Sequence, residues 1–152
     1  MSRQRIVVVE DDPFIAMDIE AAMLDHLGDR TEIIVTDNLR EAQGLVSEAV
    51  HCVLLDVDVI GGKTFDIARQ LRQRGTPFAF VSGSLPTDLP PELREAAFVR
   101  KPFRPRDIVG FVRSALPEPA GDDAPGGPSN GSMPRSGSPM ERGPLAGSGK
   151  VE

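Results

Sequence analysis

The chain has 152 residues with 17 lysines and arginines against 23 aspartates and glutamates, a formal charge of −6. That length suits one domain, and the acidic balance argues against a general polyanion binder, because nothing would neutralise a run of phosphates. Cys52 is the only cysteine, and His26 and His51 are the only histidines, so a disulfide framework or a multi-cysteine zinc cage is excluded. No apolar run approaches the ~18 residues of a membrane span. Four apolar residues between Arg5 and Glu10 are too few for a secretory leader. The expectation is a soluble protein of a reducing, cytoplasmic compartment, with neither membrane nor nucleic acid as partner.

In chain order, Ile6-Val7-Val8-Val9 is a continuous β-branched run, the mark of a strand buried on both faces. Asp12-Pro13 opens a helix, with Asp12 as N-cap and proline at the first helical position. Ile15, Ile19, Ala22 and Met23 share one face of it, and Gly28 is its stop. Glu32 to Thr36 reads as a second strand. Asn38 caps a second helix in which Leu39, Ala42, Leu45, Val46 and Ala49 recur at helical spacing. His51 to Asp56 is a third strand, Gly61-Gly62 a loop, and Phe65, Ile67, Ala68 and Leu71 mark a helix running up to Gly75. Pro77 to Ser82 is the fourth strand.

The fourth connection is crowded by Pro86, Pro90 and Pro91, so any helix there is short and starts near Pro91. Ala97 to Arg100 gives a brief fifth strand. A last helix runs from about Pro105 to Ala115, with Ile108, Val109, Phe111 and Val112 as its buried stripe. Beyond it the composition changes: residues 117–152 hold 7 prolines, 8 glycines and 5 serines among 36, with no apolar period. Such a segment cannot bury enough surface to offset its ordering entropy, so the expectation is a domain over 1–116 and a disordered tail. Five βα units in a body of that size imply an α/β fold, an open parallel sheet covered on both sides. The functional crevice of such a sheet lies at the carboxyl ends of its strands.

Reading those ends gives a chemically coherent set. The first strand ends in Glu10-Asp11-Asp12, the third in Asp56, the fourth in Ser82 and the fifth in Lys101. Three carboxylates brought together repel one another unless a cation intervenes, and Mg²⁺ takes such oxygens. A lysine and a hydroxyl aimed at the same place complement a tetrahedral anion carried on one carboxylate. The constellation points to Mg²⁺-dependent phosphoryl transfer to an aspartate.

Four motifs in order, V-V-E-D-D at 8–12, L-L-D at 54–56, V-S-G at 81–83 and K-P-F at 101–103, give the chain a resemblance to receiver domains of two-component response regulators. The resemblance covers residues 4–116. It implies a flavodoxin-like (βα)5 three-layer sandwich with strand order 2-1-3-4-5. It further implies a phosphoprotein of phosphorelay signal transduction, in which Asp56 accepts a phosphoryl group from a histidine kinase. By the same resemblance Asp11 binds Mg²⁺ directly, Glu10 binds it through water, and the backbone carbonyl of Asp58 supplies a further ligand. Ser82 and Lys101 contact the phosphoryl oxygens, a cis peptide joins Lys101 to Pro102, and Phe98 stands where the family has its switching aromatic. The implied activity is phosphoacceptance with self-dephosphorylation, not turnover of a separate substrate.

Pro77-Phe78-Ala79-Phe80-Val81-Ser82-Gly83-Ser84 also resembles the P-F-x-F-A-T-G signature of an alphaproteobacterial receiver subgroup. Its members are often stand-alone receivers working with histidine kinases of the HWE or related families. Here Ser82 replaces the threonine, Phe98 is an aromatic that subgroup members often lack, and Val59-Ile60-Gly61-Gly62 replaces the usual M-P-x-x-G. With no effector domain in residues 117–152, output would be binding to a downstream regulator or phosphotransferase, or draining phosphate from a shared kinase.

Each feature has a plainer reading. Ser82 suits a turn before Gly83, Phe98 suits core packing, Asp12 is accounted for by capping, the Asp58 side chain by solvation and Cys52 by burial as a small hydrophobe. Two rival functions follow: a receiver that only binds partners, and an aspartate-nucleophile phosphatase, since Asp56-Val57-Asp58 also resembles the D-x-D motif of haloacid-dehalogenase-type enzymes. That family carries its motif on the first strand, not the third.

Overall fold

The computed structural model describes residues 3–116. Five strands make one parallel sheet: β1 (Gln4–Val9), β2 (Thr31–Thr36), β3 (Cys52–Leu55), β4 (Phe78–Ser82) and β5 (Ala97–Arg100). Their spatial order is β2-β1-β3-β4-β5, the order expected. Four helices cover it: α1 (Pro13–Leu27), α2 (Leu39–Val46), α3 (Phe65–Arg74) and α4 (Pro105–Ala115). The tail expected to be disordered lies outside the described residues.

The continuous apolar strands are explained by burial on both faces. Val7, Val9, Val53, Leu55, Phe78 and Phe80 point to one side, where Ala42 and Val46 of α2 and Ile67, Ala68 and Leu71 of α3 meet them. Ile6, Val8, Cys52, Leu54, Ala79 and Val81 point to the other, against Ile19 and Met23 of α1 and Ile108 and Val112 of α4. The period of two sorts each strand between two cores. Burying a side chain of this size contributes about 1.5–3 kcal/mol, so the layers are held by many such terms. Phe80, fully buried, stacks edge-on against Phe65 and Phe78 and truncation there would cost ~3–5 kcal/mol.

Capping follows the sequence closely. The Asp12 carboxylate accepts from the N–H groups of Phe14 and Ile15, Asn38 accepts from Glu41 N–H, and α3 ends on Gly75 at φ 74°. Three details differ. α2 stops at Val46, so Ala49 lies past its end and is exposed. Ile15 and Phe111 are only half-buried, Ala16 taking the inner position on α1. The fourth connection holds no α-helix, only two single 3-10 turns, Pro86–Asp88 and Pro91–Leu93. Prolines at 86, 90 and 91 lack the N–H groups that a longer ladder needs. Leu89 and Leu93 still bury fully from this short connection and cover the sheet where a helix would otherwise lie.

Candidate functional site

β1 and β3 are neighbours, so their carboxyl ends deliver Glu10 and Asp56 side by side. Ladder bonds continue one residue past each strand: Glu10 N–H donates to Thr36 O (2.9 Å), Asp56 N–H to Val9 O (2.8 Å) and Lys101 N–H to Ser82 O (2.9 Å). The first residue after each strand is thereby held as firmly as the sheet itself. Glu10, Asp11 and Asp56 each offer a carboxylate oxygen, and these lie within 4.8 Å of one another. Lys101 starts from β5 and its ammonium reaches past β4 to the same place, 2.7 Å from Glu10 Oε1 and 3.2 Å from Asp56 Oδ2. The peptide between Lys101 and Pro102 is cis, as the resemblance implies.

Satisfaction of these groups is uneven. Asp56 Oδ1 accepts from Val57 N–H (2.8 Å) and Oδ2 from Lys101. Glu10 Oε2 accepts from Asp12 N–H (3.1 Å). Glu10 Oε1 is buried and charge-paired with Lys101, yet no donor among the described residues meets it with hydrogen-bond alignment. Burial pushes the Glu10 carboxyl up to about 7, against the pull of Lys101 and Asp12 N–H, and the Asp56 charge raises it further. For Lys101 burial acts downward, but Glu10 and then Asp56 outweigh it and hold the ammonium above its ordinary range. A buried carboxylate beside two more carboxylate oxygens has the donor chemistry of a divalent-cation site. The oxygens fit such an ion, and a groove of about 410 Å³ lined by Asp11, Met17, Asp37 and Glu41 opens beside them.

Other expected residues stand at the rim. Ser82 is buried, and its hydroxyl accepts from Ser84 N–H (3.1 Å), a turn bond. Asp58 is exposed and paired with Lys63 (2.5 Å) across a two-stranded ribbon, Asp58–Val59 with Gly62–Lys63, where a plain loop is expected. Gly61 at φ 103° makes its turn, and a Cβ there would come 3.2 Å from Leu39 Cβ. Phe98 is half-buried, its ring 6.4 Å from Phe80.

Thr64 was not legible as a site residue. It is fully buried and its hydroxyl donates to Asp56 O (2.6 Å), while its N–H donates to Val57 O (3.0 Å), so it ties down the loop that carries the aspartate. Its place before Phe65 reads as an N-cap, yet the side chain makes no cap bond. The one signal is a β-branched hydroxyl residue eight positions after an acid that ends a strand.

No family model matches the chain. It is 34% identical over 119 residues to the DNA-binding response regulator MtrA of Mycolicibacterium smegmatis, covering 75% of this chain and 51% of that one. The chain spans about half the length of the curated relatives it matches. The solution structure of SdrG from Sphingomonas melonis superposes with a TM-score of 0.63 at 30% identity, covering 76% of this chain and 98% of that one. The response regulator PhyR from Brucella abortus matches at 30% identity and a TM-score of 0.61, over 75% of this chain and 48% of that one. With the strand order and the acidic cluster, these likenesses show that the chain belongs to the CheY-like receiver domains of two-component response regulators.

Proposed function

We propose that this receiver accepts a phosphoryl group on Asp56 from the phosphohistidine of a histidine kinase. The observation that carries the reading is the Lys101 ammonium held between Asp56 and a buried Glu10, with a carboxylate oxygen of Asp11 beside them. An Asp56 carboxylate oxygen attacks phosphorus, the P–N bond breaks, and the imidazole leaves with the electron pair. Val57 N–H and Lys101 hold the two Asp56 oxygens in place, and Lys101 offsets charge developing on the transferred group.

Glu10, Asp11 and Asp56 would hold Mg²⁺, Glu10 through water. The ribbon supports a part for the Asp58 carbonyl: Thr64 N–H pairs with Val57 O, so the alternation along the ribbon turns the Asp58 backbone groups away from Lys63. When bound, the ion neutralises phosphoryl oxygens and lowers the repulsion among the carboxylates. Ser82 and Phe98 are the residues proposed to respond, Ser82 by exchanging its turn bond for a phosphoryl oxygen. The chain is further read as cytoplasmic, with a receiver domain over 1–116, its own dephosphorylation, and output by protein binding or as a phosphate sink. The kinase is placed in the HWE or a related class on the segment Pro77–Ser84 alone.

Intact-mass measurement after acetyl phosphate treatment tests the reading. A single phosphoryl adduct that needs both Mg²⁺ and Asp56, and is lost in Asp56→Asn, supports it. Absence of an adduct, together with an amide NMR spectrum unmoved by beryllofluoride, would leave a receiver that only binds partners.

A further inference from the structure

We infer that Thr64 is a positioning residue for the acceptor: its hydroxyl fixes the peptide unit whose N–H holds the Asp56 carboxylate. The inference rests on the reading of Asp56 as phosphoacceptor and extends it to a residue eight positions further on. Thr64 has no exposed surface, and its hydroxyl donates to Asp56 O at 2.6 Å. Val57 O lies farther from the hydroxyl, at 3.4 Å, and is already held by Thr64 N–H at 3.0 Å. The single hydroxyl proton therefore goes to Asp56 O. That carbonyl and the Val57 N–H belong to one planar trans peptide unit, so they point in opposite directions and holding one aims the other. Val57 N–H is aimed at Asp56 Oδ1, 2.8 Å away, while Oδ2 faces Lys101. Contacts thus run from hydroxyl to carbonyl, through the peptide plane to the N–H, and on to the carboxylate that attacks phosphorus.

Two local bonds are given up for this arrangement. Thr64 immediately precedes α3, where a hydroxyl side chain ordinarily accepts from an N–H of the first turn, but it makes no cap bond. Val57 and Thr64 also face each other one step beyond the Asp58–Lys63 pair of the ribbon. Hydrogen-bonded residues opposed in an antiparallel ladder exchange two bonds. Here Thr64 N–H bonds Val57 O, but Thr64 O accepts from Ala68 N–H (3.0 Å), which leaves Val57 N–H to the carboxylate. A residue that served only to start α3 or to close the ribbon would keep those bonds. Through Ala68 the same residue is anchored to α3, so the helix sets where the hydroxyl stands.

The test compares Thr64→Val, which keeps the branched shape and removes the hydroxyl, with Thr64→Ser, which retains it. Val112→Ala, in the core on the other side of the sheet, serves as a variant destabilised away from the site. Amide exchange is read by NMR on the full chain without phosphodonor, as the rate at Val57 relative to Asp56, whose N–H is held by Val9 O. In Thr64→Val that ratio should rise about tenfold, and acetyl phosphate labelling at saturating Mg²⁺ should slow by about the same factor. Thr64→Ser should stay within about twofold of wild type on both readings, and Val112→Ala should lower stability without moving either. Thr64→Ala also lacks the hydroxyl, and the same two changes are expected of it should Thr64→Val not fold. The proposal is overturned if the hydroxyl-free variants keep the wild-type exchange ratio, if they label at the wild-type rate, or if Val112→Ala reproduces both changes. A wild type that takes no phosphoryl group would remove the acceptor reading instead, and the exchange ratio alone then decides whether Thr64 positions the Asp56 carboxylate.

Discussion

Each end of the sheet places one cation between two carboxylates, and the two ends behave as opposites. At the amino end Arg5 bridges Glu32 (3.3 Å) and Glu48 (3.2 Å), and its partners are 44% and 64% exposed. At the carboxyl end Lys101 bridges Glu10 and Asp56, which are 1% and 13% exposed. The first set lies open to solvent, whereas the second keeps a buried oxygen, Glu10 Oε1, that is charge-paired with Lys101 but met by no aligned donor among the described residues. Charge placed where solvent can finish the bonding is structural. Charge held out of water and left incomplete is reserved for a ligand.

The difference is sharpest when each cation is removed. Lys101→Ala strands two buried carboxylates, and in metal-free buffer at pH 8 urea unfolding should register a loss of about 3 kcal/mol. Arg5→Ala should cost less than about 1 kcal/mol, as exposed pairs do. Equal losses would break the comparison. Divalent cation probes the same contrast from the other side. Mg²⁺ at a hundredfold excess over its dissociation constant should add about 2.7 kcal/mol to the wild type. Glu10→Gln and Asp11→Asn should shrink that gain, while Glu32→Gln and Glu48→Gln leave it intact.

Proton linkage offers a third, smaller test. The Glu10 carboxyl rises from 4.5 in the unfolded chain to about 7 in the folded one, so the folded state holds the proton more tightly. Its contribution to stability is fully present below about 4.5 and is lost as pH rises to about 7. Metal-free wild type should therefore lose stability relative to Glu10→Gln across that window, and parallel stability curves from chemical denaturation would contradict it. The smallest effect is expected at Cys52. Burial pushes its thiol up to about 12, so a thiol reagent should label the native chain only as fast as it unfolds.

Much of this was open to reading from residues. β1 and β3 are continuous apolar runs because both faces are covered, and the acids that follow them, Glu10 and Asp56, stand out against those runs. Asp12 was separable from its neighbours because Pro13 after it marks a cap. What escaped notice depends on tertiary contacts. Thr64 has an ordinary local role available before a helix, and only the fold brings its hydroxyl onto Asp56 O. Ala49 kept the helical period of α2, but the chain had already turned after Val46. The ribbon after Asp56 hangs on Ile60, which exchanges backbone bonds with Asp37 and Leu39 from another connection.

The central claim is that Asp56 is the acid that carries the phosphoryl group. Borohydride reduction of the acetyl phosphate-treated chain, followed by peptide mass spectrometry, tests it most directly, because an acyl phosphate is reduced to the alcohol while a free carboxylate is not. The account predicts homoserine at position 56 and unchanged residues at Glu10, Asp11 and Asp58. A reduced side chain at any of those three, with Asp56 intact, would contradict it.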